Sequence, residues 1–118
     1  MDSKAIGMSG EQAAAAYLKN KGYKVIQANY RAAGAEVDLV ASCGDVLCFV
    51  EVKTRKNCDH GSPEMFVTRS KQLKIIRAAR IFAARKPYRD FRVRFDVVSV
   101  LREAGATACD HLENAFEE

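Results

Sequence analysis

Long apolar runs are missing from this chain of 118 residues. None approaches the ~20 consecutive apolar residues that a membrane-spanning helix needs. Residues 1–7, Met-Asp-Ser-Lys-Ala-Ile-Gly, lack the apolar core of a secretory signal, so a cytoplasmic address is expected. Paired soft ligands are missing as well. The four cysteines, Cys43, Cys48, Cys58 and Cys109, form no C-x-x-C, and His60 and His111 stand apart from one another. That spacing argues against structural zinc, and reduced cytoplasmic thiols argue against disulfides. Cys48 alternates with core positions and reads as a small buried hydrophobe. Repeats, linkers and low-complexity tracts are absent too. With 48% apolar residues, the chain reads as one domain over residues 1–118. At that size it buries roughly two thirds of its unfolded surface.

Acid is absent from one long stretch. Between Met65 and Lys86 there is no Asp or Glu, while Arg69, Lys71, Lys74, Arg77, Arg80, Arg85 and Lys86 all fall there. An ordinary solvated helix mixes signs, because i,i+4 ion pairs help it and like pairs repel. A helix of one sign fits contact with a phosphate backbone, which gains affinity through counterion release. The plainer alternative is a solubilising basic face. Arg31, Arg55 and Lys56 extend the same field, and the net charge of +4 agrees with it. Few aromatics are interleaved, so base stacking on single strands is not the expected mode.

What is present reads as alternating elements. Ser9 and Gln12 fit a capping box for a first helix that Gly22 ends. Tyr23 to Ala28 reads as a strand and Asn29 to Ala33 as a connection. Two apolar runs, Val37–Ala41 and Val46–Val52, flank the turn signal Cys43-Gly44-Asp45 as a β-hairpin. Asn57 to Pro63 is a loop. Thr68 caps a second helix to about Ala84, its apolar positions Leu73, Ile75, Ile76, Ala79, Phe82 and Ala83. Lys86-Pro87 ends it, and Arg94 to Leu101 is a last strand. The tail from Arg102 is loose until Phe116 anchors it. The order α-β-β-β-α-β predicts an α/β domain of two or three layers with a mixed sheet. The second helix is the crossover that sets the last strand parallel to a hairpin strand.

Three charges interrupt the hairpin. Asp38 lies on its first strand, and Glu51 and Lys53 share one face of its second, because strands have period two. If Ser42 pairs with Leu47 across a four-residue loop, Asp38 stands directly opposite Glu51. A two-residue loop would move the contact to a diagonal neighbour. Two converging carboxylates and an ammonium suit a divalent cation; the plainer reading is a solvated ion pair.

Taken together these pieces resemble a known family. Gly10-Glu11 before Ala13-Ala14 and Tyr17-Leu18, Gly22-Tyr23, Asn29-Tyr30-Arg31, Glu36-Val37-Asp38-Leu39-Val40, Phe49 to Arg55, Lys71, Arg94 to Val98 and Asn114-Ala115-Phe116 occur in order across almost the whole chain. They are similar to the YraN-like family of small bacterial proteins, within the PD-(D/E)XK nuclease superfamily and near the Holliday-junction resolvases. Ala35, where the family usually has glycine, and His60, where an aromatic is usual, depart from the pattern without touching the carboxylates. The resemblance implies a restriction-endonuclease-like αβββαβ core. It also implies Asp38, Glu51 and Lys53 as catalytic residues, with Mg²⁺ or Mn²⁺ held by Asp38, Glu51, the Val52 carbonyl and Glu11. Glu11 has a plainer reading too, since an acid in a first helical turn is favoured by the helix dipole. Arg31, Arg55, Lys71, Lys74 and Arg77 would then contact DNA, double-stranded or branched, and a homodimer enters as a partner by the same likeness. A silent DNA-binding module on the same scaffold, or a basic adaptor for an acidic protein, are the alternatives.

Overall fold

The computed structural model describes residues 9–55, 67–103 and 105–118. The loop expected over residues 57–63, with Lys56, Cys58 and His60, lies outside the described residues, as do residues 1–8.

Helix α1 (Gly10–Asn20) begins where the capping box predicts. Ser9 Oγ accepts the Gln12 N–H, and the Gln12 side chain accepts the Ser9 N–H at 2.8 Å. At its other end the Tyr23 N–H reaches back to the Leu18 carbonyl and the Gly22 N–H to that of Lys19. This is a Schellman closure, and it needs a residue with positive φ, which Gly22 supplies at +94°. Five strands follow: β1 (Lys24–Ala32), β2 (Ala35–Cys43), β3 (Val46–Arg55), then after helix α2 (Arg69–Ala83) and a short 3₁₀ turn, β4 (Arg92–Glu103) and β5 (Ala106–Phe116). Their order in the sheet is that of the sequence, all antiparallel except the β3–β4 pair. The crossover through α2 makes that pair parallel, as the element order predicts.

The two faces of the sheet are covered separately, so the domain has three layers. Ala13, Ala14 and Leu18 of α1 pack on Leu39, Cys48, Val50, Val98 and Val100. Ile75, Ile76, Ala79 and Phe82 of α2 pack on the opposite face, on Val40, Phe49, Phe95 and Val97. Phe82 is the hub there, edge-on to Tyr30 at 5.0 Å and to Phe49 at 5.8 Å between ring centres. Leu73 does not join this core: it is 41% exposed, because helical spacing sets it opposite Phe82, the hub of that face. Cys48 is fully buried, and burial pushes its thiol up to about 12.

Three expectations are corrected. Strand β1 does not stop at Ala28 but runs to Ala32, pairing Tyr30 with Val37 and Ala32 with Ala35. The connection shrinks to Ala33-Gly34, both at positive φ, which closes a two-residue hairpin. The turn between β2 and β3 also has two residues, Gly44-Asp45, since Cys43 pairs with Val46. The tail is not loose: β5 is a full antiparallel edge strand on β4, and Phe116 stacks on Phe95 at 5.1 Å. Its polar, small-residue sequence carries no alternation, because an edge strand with a largely exposed face has little to bury.

Candidate active site

The β2–β3 register brings the two carboxylates together. Ser42 does pair with Leu47, and the two-residue turn preserves that register rather than shifting it, because Cys43↔Val46 and Ser42↔Leu47 belong to one ladder. Carried one step past Leu39↔Val50, the same register faces Asp38 with Glu51, and both carboxyls line one cleft. The ladder stops there. The Val52 N–H, which a longer ladder would give to a β2 carbonyl, goes to Asp38 Oδ2 at 2.7 Å. A strand residue's N–H and C=O point to the same side, so the Val52 carbonyl also faces Asp38. Thus Asp38, by capturing a backbone donor, separates β2 from β3 and opens the sheet at the site.

Charge density follows from this crowding. Burial first, then the hydrogen bond to Glu51, raise Asp38 from the ordinary carboxyl range to about 8. Burial also works to raise Glu51, but the Asp38 hydrogen bond and the Lys71 ammonium overcome it and hold Glu51 below its ordinary value. The crowding therefore favours a proton on Asp38 and negative charge on Glu51. Lys71 reaches in from the first turn of α2 to form an ion pair with Glu51 Oε2. Lys53 projects from β3 on the same face, and burial together with the nearby Lys71 lowers its pKa. Lys71 itself is raised: burial opposes this, and the Glu51 partner outweighs it.

Asp38, Glu51 and Lys71 line a cleft of about 430 Å³ between the β1–β2 turn and the start of α2. Gly34, Ala35 and Glu36 form one wall; Thr68, Ser70, Lys71 and Lys74 form the other. The α2 wall is the positive end of a helix with no acid in its first turn. Of the predicted cations, Lys71 and Lys74 line the cleft, and Arg77 stands exposed one turn further along. Arg31 pairs with Glu36 at 3.0 Å on the hairpin beside it. Arg55 ends β3, two residues beyond Lys53.

Glu11 approaches from the other side of the sheet. Gly10 packs against Thr54: a Cβ there would sit 1.9 Å from Thr54 Oγ1. This contact sets the start of α1 against the end of β3, and the Glu11 charge is felt at Asp38 as the last of the influences raising it. Even so, no group of three or more His, Cys, Asp or Glu side chains is gathered for a metal ion among the described residues. The donors that do converge are the Asp38 and Glu51 carboxylates and the Val52 carbonyl. This oxygen set suits Mg²⁺ or Mn²⁺, which complete their shells with water. Glu51 Oε2 is buried, and the cation that meets it there is the Lys71 ammonium.

Sequence reasoning missed a second polar cluster, on the α1 face. Asp96 is fully buried. Arg94 grips it with two bonds of 2.9 and 2.8 Å, His111 Nε2 lies 2.7 Å from Oδ2, and the Asn114 N–H donates to Oδ1 at 3.0 Å. Lys21 Nζ lies 2.8 Å from His111 Nδ1, so Nε2 carries the hydrogen given to Asp96. These three partners hold Asp96 below its ordinary pKa, although burial alone would raise it. A charged residue in an apolar β4 was the signal; of its partners, His111 and Asn114 lay in a tail with no visible pattern.

The arrangement defines a small α/β protein with a carboxylate–lysine cleft. The model of the uncharacterised protein family UPF0102 matches residues 10–100. A UPF0102 protein of Geobacter sulfurreducens is 43% identical over 116 residues, covering 98% of this chain and 91% of its own. One from Desulforapulum autotrophicum is 43% identical over 112 residues, covering 95% and 93%. Another, from Chlorobium phaeobacteroides, is 39% identical over 122 residues, covering 98% and 96%. The chain belongs to the UPF0102 family, which bears out the YraN-like resemblance at family level. No helix among the described residues is long and apolar enough to cross a membrane.

Proposed function

We propose that this protein is a metal-dependent nuclease that hydrolyses DNA phosphodiester bonds, built on a restriction-endonuclease-like core. The observation that carries the reading is that Asp38 and Glu51 line one cleft side by side, with Lys71 on its wall and Lys53 close behind. Carboxylates buried side by side oppose folding, and two flanking ammoniums make the site suited to a cation and an anion at once.

Asp38, Glu51 and the Val52 carbonyl would hold Mg²⁺ or Mn²⁺. When bound, such an ion supplies positive charge against the phosphate oxygens and lowers the pKa of its water. The protein's own groups do the rest. The Val52 N–H fixes the Asp38 carboxylate in place. Lys53 Nζ orients the attacking water and offsets charge on the phosphate, where partial burial strengthens its effect. The α2 start, with Ser70, Lys71 and Lys74, receives non-bridging phosphate oxygens. Arg77, Arg55 and Arg31 extend the track for flanking phosphates. A cleft of about 430 Å³ admits one phosphodiester and its sugars, so the duplex body lies across the mouth. The resolvase-like branch of the family resemblance favours branched DNA and a symmetric dimer, acting in the cytoplasm.

The test is cleavage of a labelled four-way junction and its matching linear duplex, with Mn²⁺ or Mg²⁺, beside Lys53→Ala and Glu51→Ala. Cleavage by the wild type that both variants lose is the expected result; cleavage by Lys53→Ala at the wild-type rate removes the assignment. One observation favours a second reading, a DNA-binding module without cleavage: among the described residues no group of three acids is gathered, and Lys71 already neutralises Glu51. Absent cleavage with salt-sensitive DNA binding would support it.

A further inference from the structure

We propose that Lys71 is a built-in counter-cation: it holds the divalent ion's place on Glu51 and transfers to a substrate phosphate when the ion arrives. This rests on the metal-site reading above. Glu51 is nearly buried, its side chain 4% exposed, and the Lys71 ammonium lies against Oε2 as an ion pair. A carboxylate oxygen buried in this way needs a cation beside it. The cation it has is mobile by construction. The Lys71 side chain is 43% exposed at the cleft wall, whereas its backbone is fixed by the Thr68 cap, which accepts the Lys71 N–H at 3.2 Å. A four-carbon stem on an anchored backbone lets the ammonium swing several ångströms without disturbing the helix.

Charge balance gives the direction of the swing. Lys71 offsets the charge of Glu51 in the resting protein. A divalent ion on the two carboxylates leaves Lys71 facing a like charge at contact distance, so it turns outward. Outward from Glu51 is the cleft, with Ser70 and Lys74 on the same wall. There the freed ammonium meets the anion that the ion also attracts. Lys71 would thus keep Glu51 compensated in the resting protein and couple metal loading to phosphate binding.

Mn²⁺ binding, followed by loss of the free-ion EPR signal at pH 8.5, tests this on the wild type, Lys71→Gln and Lys71→Met. Glutamine leaves Glu51 a neutral donor, so a folding defect in the methionine variant does not end the test. Expected is roughly tenfold tighter Mn²⁺ binding in Lys71→Gln, together with weaker metal-dependent DNA binding and a salt slope reduced by about one. Equal Mn²⁺ affinity in wild type and Lys71→Gln overturns the counter-cation role. Tighter Mn²⁺ binding with unchanged DNA affinity and salt slope overturns the transfer. No Mn²⁺ binding by any of the three overturns the metal reading beneath it, a result distinct from the other two.

Discussion

Asp38 holds a proton that the unfolded chain releases. Its folded pKa is raised from 3.8 to about 8. The stability linked to that proton is full below about pH 4 and is lost as pH rises toward 8. Asp38→Asn removes the slope. It should melt about 5 °C above the wild type at pH 9, after discounting for partial exposure, with the gap closing toward pH 5; thermal melts across that range check it. Asp96 behaves oppositely. Its depressed pKa means that its contribution is full above the ordinary carboxyl range and is lost only in stronger acid. Asp96→Ala leaves Arg94 and His111 without their partner and should cost ~3–5 kcal/mol in urea unfolding at pH 7. At this scale Asp38, Glu51 and Lys53 were legible, because a two-residue period puts them on one face. The partnerships Glu51–Lys71 and Asp96–His111 were not, because each joins side chains from different elements through the tertiary fold.

The elements were legible where periodicity or caps announced them: both helices, the central hairpin and the parallel β4. They were not where a strand lacked alternation. Asn29 has φ of +55° within β1, so a residue that commonly marks a turn is held inside a strand by pairing on both sides. The setting of α1 also hides in the sequence, since it depends on a missing side chain. Gly10→Ala places a methyl group 1.9 Å from Thr54 Oγ1 and 3.2 Å from Thr54 Cβ, so turning the hydroxyl away relieves only part of the clash. We expect a loss of ~1–3 kcal/mol, partly restored in Gly10→Ala/Thr54→Ala; a double-mutant cycle in urea measures the coupling. The same displacement moves Glu11 relative to Asp38, so the single variant also tests whether Glu11 matters to metal affinity.

For the molecule as a whole, the edge strand β5 decides whether the sheet survives. It pairs along β4, brings Phe116 onto Phe95 and supplies His111 and the Asn114 N–H to Asp96. Truncation after Glu103 would expose a row of unpaired β4 groups and strip two partners from a buried charge. The expected product is aggregated or unfolded, seen as loss of the monomer peak in gel filtration and of cooperative melting. A soluble, cooperatively melting product would return β5 to the status of a tail.

The Asp96 cluster also orders events in time. Lys21 and His111, and Tyr23 and Glu113, lie 90 residues apart and meet in the folded chain. On the ribosome the β2–β3 hairpin, closed by two residues, can form soon after it emerges. Asp96 emerges later and must wait for His111 and Asn114. Until they follow, Asp96 has only Arg94 beside it, and the nascent sheet carries a half-satisfied acid near its centre. The carboxylate pair of the cleft can therefore assemble while the rest of the sheet is still open, and it is the late β4–β5 side of the sheet that chaperones and proteases meet longest.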